Sequence, residues 1–389
     1  MNKKIYQLFS ILVSLSLALS ALPSSISAVH ALPSSENNSG AVLCPPDAYL
    51  QAPPDCAPLG PSEYLTDMAS RGMELPLRPL QISHPDPALA NLPYHYYKVN
   101  STGTAFYPTL NAAISGSGGQ ILDPGAFLYV VYSQQIPAPK GTYFLRPGGE
   151  VMPGDGSRVS ISTPFPGVEV HGTPRNAFGW AYNPTPVRRV PNELGYNLPI
   201  RLLALDEIVQ VYATQNLEGT VWDMIGPDEW VVGRDIAEVM PNTTPPNGVT
   251  NGRWIDVNLA EQTLAVYDKS QLVYATVVAT GAKPLYTRPG LFPIYKKLET
   301  EVMSGERGTP EFYYLEAVPW TMYFDKARAL HGAYWRARLG FPQSHGCVNL
   351  SPGDAHWLFN WANAGDLVWV HDPTGVTPTD PSYYGDGGA

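Results

Sequence analysis

Apolar and polar residues alternate over short stretches in the middle and C-terminal parts of the chain, which is the pattern of half-buried β-strands. Two of these stretches, 262–267 and 272–278, are separated by a short turn around Asp268-Lys269-Ser270. A turn of this length between two β-rich runs predicts a β-hairpin. The apolar run 367–370 predicts a final strand.

One stretch near the C-terminus has helical character. Ser351 can cap a helix that starts at residue 352, and a proline at position 352 suits the first turn of a helix. Gly365 can end the helix shortly after residue 362. The pattern as a whole therefore predicts a mainly β protein with one or two short helices in its C-terminal part.

Composition agrees with this pattern. The 389 residues include 35 Gly and 40 Pro, which disfavour long helices, and 23 Tyr and 9 Trp, which fit pleated sheets. The formal net charge is −10, and the chain contains no basic run. An acidic chain does not attract the phosphates of nucleic acid, so no nucleic-acid partner is predicted.

Changes in composition divide the chain into segments. Residues 32–93 are proline-rich and weakly patterned, and 241–250 has the composition of a linker. Two stretches between them are alike at an offset of about 80 residues, each with a short strand ending in proline, a β-rich strand and an aromatic strand. The predicted order is a signal peptide (1–31), the N-terminal segment (32–93), two modules (94–168 and 169–240), the linker (241–250), a C-terminal domain (251–372) and a flexible tail (373–389).

The two modules resemble bacterial SH3-like domains in their pattern of strands and turns. This resemblance implies two small β-barrels that often accompany cell-wall enzymes. The alternative is a single irregular β domain over the same residues.

The N-terminus has the order of features typical of an export signal. Lys3 and Lys4 are followed by an apolar, uncharged stretch from Leu8 to Leu22, and cleavage after Ala28 or Ala31 is expected. The alternative is an uncleaved anchor, but the apolar stretch is short compared with the roughly 20 residues of a membrane span. We expect an extracytoplasmic protein, either secreted or in the cell envelope.

The three cysteines fall into two groups. Cys44 and Cys56 lie close together and could form a disulfide, which leaves Cys347 as an odd thiol. An odd thiol in an exported protein indicates either a reactive residue or an inert buried cysteine. The chain has no His-x-x-x-His or Cys-x-x-Cys pattern, so neither a metal nor a cofactor is predicted, and His356 and His371 are interpreted as surface or satisfied residues.

The surroundings of this thiol carry a specific motif. His331-Gly332 is followed, 16 positions after the histidine, by Cys347 within the run Ser344-His345-Gly346-Cys347-Val348-Asn349. This pattern resembles the catalytic motif of the YkuD-type L,D-transpeptidases. Flanking stretches agree, namely Thr280-Gly281, Thr287-Arg288-Pro289-Gly290 and Pro319-Trp320-Thr321-Met322, although Arg288 interrupts the family's Thr-Pro pair. The resemblance covers roughly 250–372 and implies a YkuD-like β-sandwich.

Chemistry gives these residues roles. An imidazole can take the proton of a thiol whose ordinary pKa is about 8.5, so Cys347 is the predicted nucleophile and His331 the general base. His345 is the alternative base, but adjacent side chains of an extended segment point in opposite directions. The resemblance implies that a backbone carbonyl near Gly332 orients the imidazole, and that the N–H groups of Gly346 and Cys347 stabilise an oxyanion.

Five further residues are candidates for binding the substrate. Ser344 is expected to form local hydrogen bonds, and Asn349 alternates with Cys347 and so faces the same side. The alternative interpretation of the aromatic and methionine candidates is that they are ordinary core residues. The full set is Ser344, Asn349, Tyr314, Trp320 and Met322, with Tyr323 as a further possible cleft residue.

The resemblance implies a reaction on peptidoglycan stem peptides. The thiol would attack the amide after the diamino acid at position three, release the terminal D-Ala and form a thioester. An amine acceptor would give a 3→3 cross-link, water would give L,D-carboxypeptidation, and a protein amine would give protein anchoring. Inhibition by carbapenems, a class of β-lactams, is also implied. The competing hypotheses are a non-catalytic cell-wall binding protein and a cysteine peptidase of another fold, whose local signatures are absent.

Overall fold

The computed structural model describes residues 62–73, 77–160, 164–194 and 197–385. Three α-helices lie in these ranges: α1 (Ser62–Ser70), α2 (Leu110–Ser115) and α3 (Pro352–Trp361). The predicted signal peptide, Cys44 and Cys56 lie outside the described residues. No helix in the described part of the chain is long and apolar enough to cross a membrane.

Strands dominate the rest, which confirms the mainly β prediction. The first group comprises β1 (Ile82–Ser83), β2 (His95–Lys98), β3 (Thr104–Phe106), β4 (Gln120–Leu122), β5 (Phe127–Tyr132), β6 (Gln134–Ala138), β7 (Gly141–Leu145), β8 (Val151–Pro153) and β9 (Ser157–Arg158). The second comprises β10 (Val168–Val170), β11 (Ala177–Ala181), β12 (Thr185–Val187), β13 (Arg201–Leu203), β14 (Ile208–Val211), β15 (Ala213–Leu217), β16 (Thr220–Gly226), β17 (Glu229–Val232) and β18 (Ile236–Val239).

The C-terminal part contains the remaining strands: β19 (Trp254–Asn258), β20 (Thr263–Asp268), β21 (Gln271–Val277), β22 (Gly290–Pro293), β23 (Lys296–Gly305), β24 (Tyr313–Asp325), β25 (Arg328–Gly332), β26 (Val348–Leu350) and β27 (Leu367–His371). The predicted hairpin is present, since β20 and β21 pair antiparallel. The predicted helix is α3, and Ser351 Oγ caps it by accepting from the Asp354 N–H at 3.1 Å.

Two seven-stranded sheets pack face to face around a common core. One has the strand order β1-β10-β21-β20-β19-β27-β22, and the other has the order β26-β25-β24-β5-β2-β9, with β23 paired to β24. Alternate residues of both sheets point inward and are fully buried, as expected for a β-sandwich. The core residues include Ile255, Val257, Leu264 and Val266 from the first sheet, Met322, Leu330, Val348 and Leu350 from the second, and Ala355 and Leu358 from α3.

The sheets also show how the upstream residues attach to the C-terminal part. Strands β2, β5 and β9 belong to the second sheet, and β10 belongs to the first. Residues 177–239 form three smaller sheets with a separate core that contains Val187, Leu203 and Val231. The predicted boundaries at 94–168 and 169–240, and the SH3-like character of these modules, stay predictions.

Candidate active site

The turn before β26 places Cys347. Ser344 Oγ donates to the Cys347 carbonyl at 2.6 Å and accepts from the Gly346 N–H at 3.1 Å, so one hydroxyl closes the turn. Gly346 has a φ of +117°, a conformation that residues with a Cβ rarely adopt. A β-carbon at this position would also lie 3.2 Å from Arg328 Nε. The sequence therefore needs glycine immediately before the thiol.

The flanking motif residues hold the same turn from the other side. Thr287 Oγ1 donates to the Gly346 carbonyl and accepts from the Gly281 N–H, each at 2.9 Å. Ala279 and Asn349 exchange two backbone hydrogen bonds of 2.9 Å. The Thr-Gly and Thr-Arg-Pro-Gly stretches thus act structurally, as a brace for the turn that carries Cys347.

His331 lies on β25, which pairs parallel with β26. The register aligns His331 with Asn349 and Leu330 with Val348, so Cys347 precedes the strand beside the one that carries His331. Side chains two positions apart on a strand share a face. Both His331 and Cys347 consequently face one cavity, although each side chain is buried, with relative exposures of 2% and 4%.

The orientation of the imidazole is fixed by a backbone carbonyl. His331 Nδ1 lies 3.2 Å from the Gly332 carbonyl oxygen, which can only accept. Nδ1 therefore carries the proton, and Nε2 keeps the lone pair that can take a proton from a thiol. The carbonyl contact expected at Gly332 is present.

Burial sets the protonation of both groups. Desolvation lowers the pKa of His331 to about 4, opposed by the hydrogen bond to Gly332 and assisted by the positive charge of Arg336. Desolvation raises the pKa of the Cys347 thiol to about 11, opposed by a backbone hydrogen bond from Ala329 and by the charge of Arg328. The unliganded pair is therefore a neutral thiol beside a neutral imidazole at pH 7.

The cavity above this pair has a volume of about 320 Å³ and a largely apolar lining. Aromatic rings approach the imidazole, with the Trp335 ring centroid 5.7 Å from that of His331. The lining includes the cation Arg336, whose guanidinium donates to Gln343 Oε1 at 3.1 Å and to the Gln343 carbonyl at 2.6 Å. The lining residues are Ala126, Phe127, Met303, Glu311, Tyr313, Leu315, His331, Trp335, Arg336, Gln343, Ser344, His345, Cys347 and Asn349.

The structure brings several of the predicted residues together. Ser344, His345 and Asn349 line the cavity with His331 and Cys347. His345 is exposed, and its ring lies 5.1 Å from that of Tyr313. The Gly346 N–H is engaged with Ser344 Oγ, so a contribution of this group to an oxyanion hole requires that hydrogen bond to lengthen or be shared.

Three predicted substrate contacts lie elsewhere. Tyr314 Oη donates to Glu316 Oε1 at 3.0 Å on the opposite face of β24. The Trp320 ring stacks on His356 at 3.8 Å, and Met322 is fully buried in the sandwich core. None of the three lines the cavity, so they stay unsupported as substrate contacts.

Reasoning from sequence missed the residues that do form the walls. Tyr313 and Leu315 flank the predicted Tyr314, and Trp335 lies four residues after His331. Their proximity to motif residues was an available signal. Phe127 carried no such signal, because it lies far from the motif in sequence and reaches the cavity only through strand pairing.

Within the described ranges, no three His, Cys, Asp or Glu side chains are arranged to hold a metal ion. The cavity combines a thiol, an imidazole and a largely apolar lining, a combination that can support covalent acyl transfer through a cysteine.

Comparison with known proteins identifies the class of this domain. Residues 252–370 match the family model of the L,D-transpeptidase catalytic domain, YkuD, a span of less than a third of the chain. The C-terminal part of the chain therefore carries an L,D-transpeptidase catalytic domain, as its motif predicts. A search of curated proteins found no match.

Solved structures of the same class share limited similarity with the chain. An Enterococcus faecium L,D-transpeptidase is 25% identical, with 31% of this chain and 50% of that chain covered and a TM-score of 0.29. The L,D-transpeptidase (Yku) from Stackebrandtia nassauensis is 28% identical, with coverages of 34% and 60% and a TM-score of 0.27. LdtMt1 in complex with imipenem is 17% identical, with coverages of 55% and 93% and a TM-score of 0.30. The chain thus spans only half to three fifths of the length of the first two.

Proposed function

We propose that this protein is an extracytoplasmic peptidoglycan L,D-transpeptidase that forms 3→3 cross-links through a thioester on Cys347. One observation carries the proposal: Cys347 and His331 face one cavity from neighbouring strands, with the imidazole held by the Gly332 carbonyl so that Nε2 is the basic atom. The YkuD match over 252–370 supports the same chemistry.

Acylation follows from this geometry. The donor is a tetrapeptide stem whose third residue is a diamino acid and whose fourth is D-Ala. As Cys347 Sγ bonds to the carbonyl carbon of the third residue, its proton passes to His331 Nε2 and the carbonyl oxygen becomes an oxyanion. The N–H of Cys347 is the expected oxyanion donor, joined by that of Gly346 if its bond to Ser344 is shared.

Collapse of the oxyanion breaks the amide bond. The D-Ala nitrogen leaves with the proton held at Nε2, and the stem remains on sulfur as a thioester. In the second half-reaction the side-chain amine of another stem attacks the thioester, its proton goes to Nε2, and the thiol is restored by return of that proton. Bond making and breaking balance without any redox partner.

The buried, neutral state of the pair shapes this mechanism. A thiol with a pKa near 11 and an imidazole with a pKa near 4 do not form a stable thiolate–imidazolium pair before substrate binds. Proton transfer is therefore coupled to attack, and His331 acts as a general base in the ordinary sense.

Product analysis tests the proposal. The chain without residues 1–31 is incubated with a purified disaccharide tetrapeptide, and the products are analysed by mass spectrometry. A dimer that lacks one D-Ala is expected; accumulation of tripeptide alone would identify an L,D-carboxypeptidase, and no change would leave a non-catalytic wall-binding protein.

Matched variants assign the roles. Cys347→Ser and His331→Gln are expected to abolish product formation, since one removes the nucleophile and the other the base. His345→Gln tests the alternative base, because His345 lines the same cavity but is exposed and packs beside Tyr313. Loss of activity in His345→Gln together with retained activity in His331→Gln would identify His345 as the base instead.

Carbapenems offer a second probe of the thiol. LdtMt1 is described in complex with imipenem. We expect imipenem to acylate Cys347 of this chain, with an adduct that is absent from Cys347→Ser.

A further inference from the structure

The sheet that carries His331 extends beyond the residues that match the family model. Strand β5 pairs parallel with the start of β24, with Phe127 opposite Tyr313 and Tyr129 opposite Leu315. Strand β2 then pairs antiparallel with β5, and β9 pairs with β2. Residues 95–158 therefore supply three strands of the sheet whose other strands carry His331 and lead from Cys347.

This pairing brings an upstream aromatic residue into the cavity. Tyr313 and Leu315 line the cavity, and Phe127 lies beside Tyr313 in register, so Phe127 and the preceding Ala126 complete the same wall. The Phe127 ring meets the Trp335 ring edge to face, with centroids 6.4 Å apart. Arg336 Cζ lies 5.4 Å from the centre of the Phe127 ring.

Neighbouring residues of β2 and β5 pack against the segment that follows His331. The Tyr96 ring stacks on Tyr334 with centroids 3.6 Å apart, and Tyr129 approaches Trp335 at 6.5 Å. Trp335 in turn lies 5.7 Å from His331. A continuous set of ring contacts thus joins the upstream strands to the imidazole.

A buried carboxylate stabilises the contact between the upstream strands and β24. Glu316 is 4% exposed, and its Oε2 accepts the Val131 N–H at 2.9 Å. Its Oε1 accepts from Arg146 and from Tyr314 Oη. The backbone adds the Ala126 N–H donated to the Phe312 carbonyl at 2.9 Å. Two of these donors, Arg146 and the Val131 N–H, belong to the upstream segment, so the carboxylate links that segment to β24.

We propose that residues 95–158 form part of the active site and that Phe127 is a specificity-determining residue that contacts the acyl-donor peptide. The Phe127 and Trp335 rings meet edge to face and together form one apolar wall of the cleft, a surface on which the aliphatic part of an extended peptide can pack. This inference rests on the proposed function, because it assigns a contact to the donor of that reaction.

The test uses the chain without residues 1–31 and three variants. Phe127→Ala removes the wall, and Phe127→Tyr keeps the ring. Tyr132→Ala is the matched control: it removes an aromatic ring from the same strand, but this ring packs on Phe144 at 4.6 Å and contributes nothing to the cavity lining. Measurements are KM and kcat for the disaccharide tetrapeptide, the rate of Cys347 alkylation by iodoacetamide, and Tm.

Phe127→Ala is expected to raise KM about tenfold, the factor that corresponds to loss of one aromatic contact. The alkylation rate of Cys347 is expected to stay within about twofold, because iodoacetamide is too small to use the wall. Phe127→Tyr is expected to restore KM. Tyr132→Ala is expected to lower Tm while leaving KM unchanged.

Two results would overturn the inference while the proposed function stands. One is an unchanged KM in Phe127→Ala. The other is a loss of activity that tracks Tm equally in Phe127→Ala and Tyr132→Ala, which would make the strand a structural support only. A parent protein that turns over no tetrapeptide and gives no Cys347 adduct would instead refute the proposed function itself.

Discussion

The protonation state of the unliganded thiol can be measured directly by varying pH. Burial raises the pKa of Cys347 to about 11, from an ordinary thiol value of about 8.5 to 9.0. A pH of 7 then lies about four units below the pKa of the thiol, so about one molecule in ten thousand carries a thiolate. Alkylation by iodoacetamide requires that thiolate, so the two-unit shift makes the reaction about 100-fold slower than for an unburied cysteine at the same pH.

The assay follows the alkylation rate of Cys347 between pH 6 and pH 10 by peptide mapping, which separates it from Cys44 and Cys56. The expected rate rises about tenfold for each pH unit over the whole range, because the pKa lies above it. His331→Gln is expected to give the same profile, since a histidine with a pKa near 4 is neutral throughout.

A different profile would refute the reasoning. A plateau between pH 6 and pH 8 that disappears in His331→Gln would show a thiolate–imidazolium pair already formed in the free protein. General-base attack on a bound substrate would then no longer be required.

Three further predictions concern the supports of the site. Glu316→Ala leaves Arg146 and the Val131 N–H without their buried acceptor, and it is expected to lower the free energy of unfolding by about 3–5 kcal/mol in urea titrations. The control Glu299→Ala, at an exposed position, is expected to change the free energy of unfolding by less than about 0.5 kcal/mol. Equal effects of the two substitutions would contradict a stabilising role of Glu316 between the upstream strands and β24. Ser344→Ala removes both hydrogen bonds that close the turn and is expected to reduce kcat at least tenfold, with Ser344→Thr restoring it; an active alanine variant would show that the hydroxyl is dispensable. His331 binds its proton only near pH 4 in the folded protein but near pH 6.5 in the unfolded chain, so its contribution to stability is present above pH 6.5 and is lost as the pH falls toward 4, by up to about 3 kcal/mol. In chemical denaturation at several pH values, His331→Gln is expected to lose less stability at acid pH than the parent protein. An identical pH dependence of stability in the two proteins would contradict the burial of a neutral imidazole.

Local patterns in the sequence were sufficient for the elements nearest the chemistry. The hairpin of β20 and β21 follows from alternation and a short turn, and α3 follows from Ser351 and a proline in its first turn. The Ser-His-Gly-Cys run encodes its own turn, because Ser344 bonds to two backbone groups within three residues. These features depend on contacts close in sequence, which is why pattern and motif predict them.

The residues that line the cleft could not be predicted from local sequence patterns. Strand β24 contains Ala317 and Trp320 at positive φ, and bulges interrupt its pairing with β23 and with β25. Each irregularity shifts the phase of alternation, so counting along the strand does not tell which side chains face the cavity. Tyr314 was expected there, and its neighbour Tyr313 occupies the place instead.

The role of the upstream residues was hidden for another reason. The β-rich strand predicted in the first module corresponds to β5 (Phe127–Tyr132), whose partner is Tyr313–Leu315, far along the chain. Periodicity reports which face of a strand is buried and carries no information about the strand it will pair with. The sequence therefore predicts the strand but not its pairing with β24, which places Phe127 at the cavity.

The most direct test of the central claim is the covalent intermediate itself. Acid quenching of the chain during reaction with a disaccharide tetrapeptide, followed by peptide mapping, should recover a hydroxylamine-sensitive disaccharide-tripeptide adduct on Cys347 that fails to form in His331→Gln. Turnover without any adduct on that thiol, or an adduct that forms equally well without the imidazole, would contradict the account.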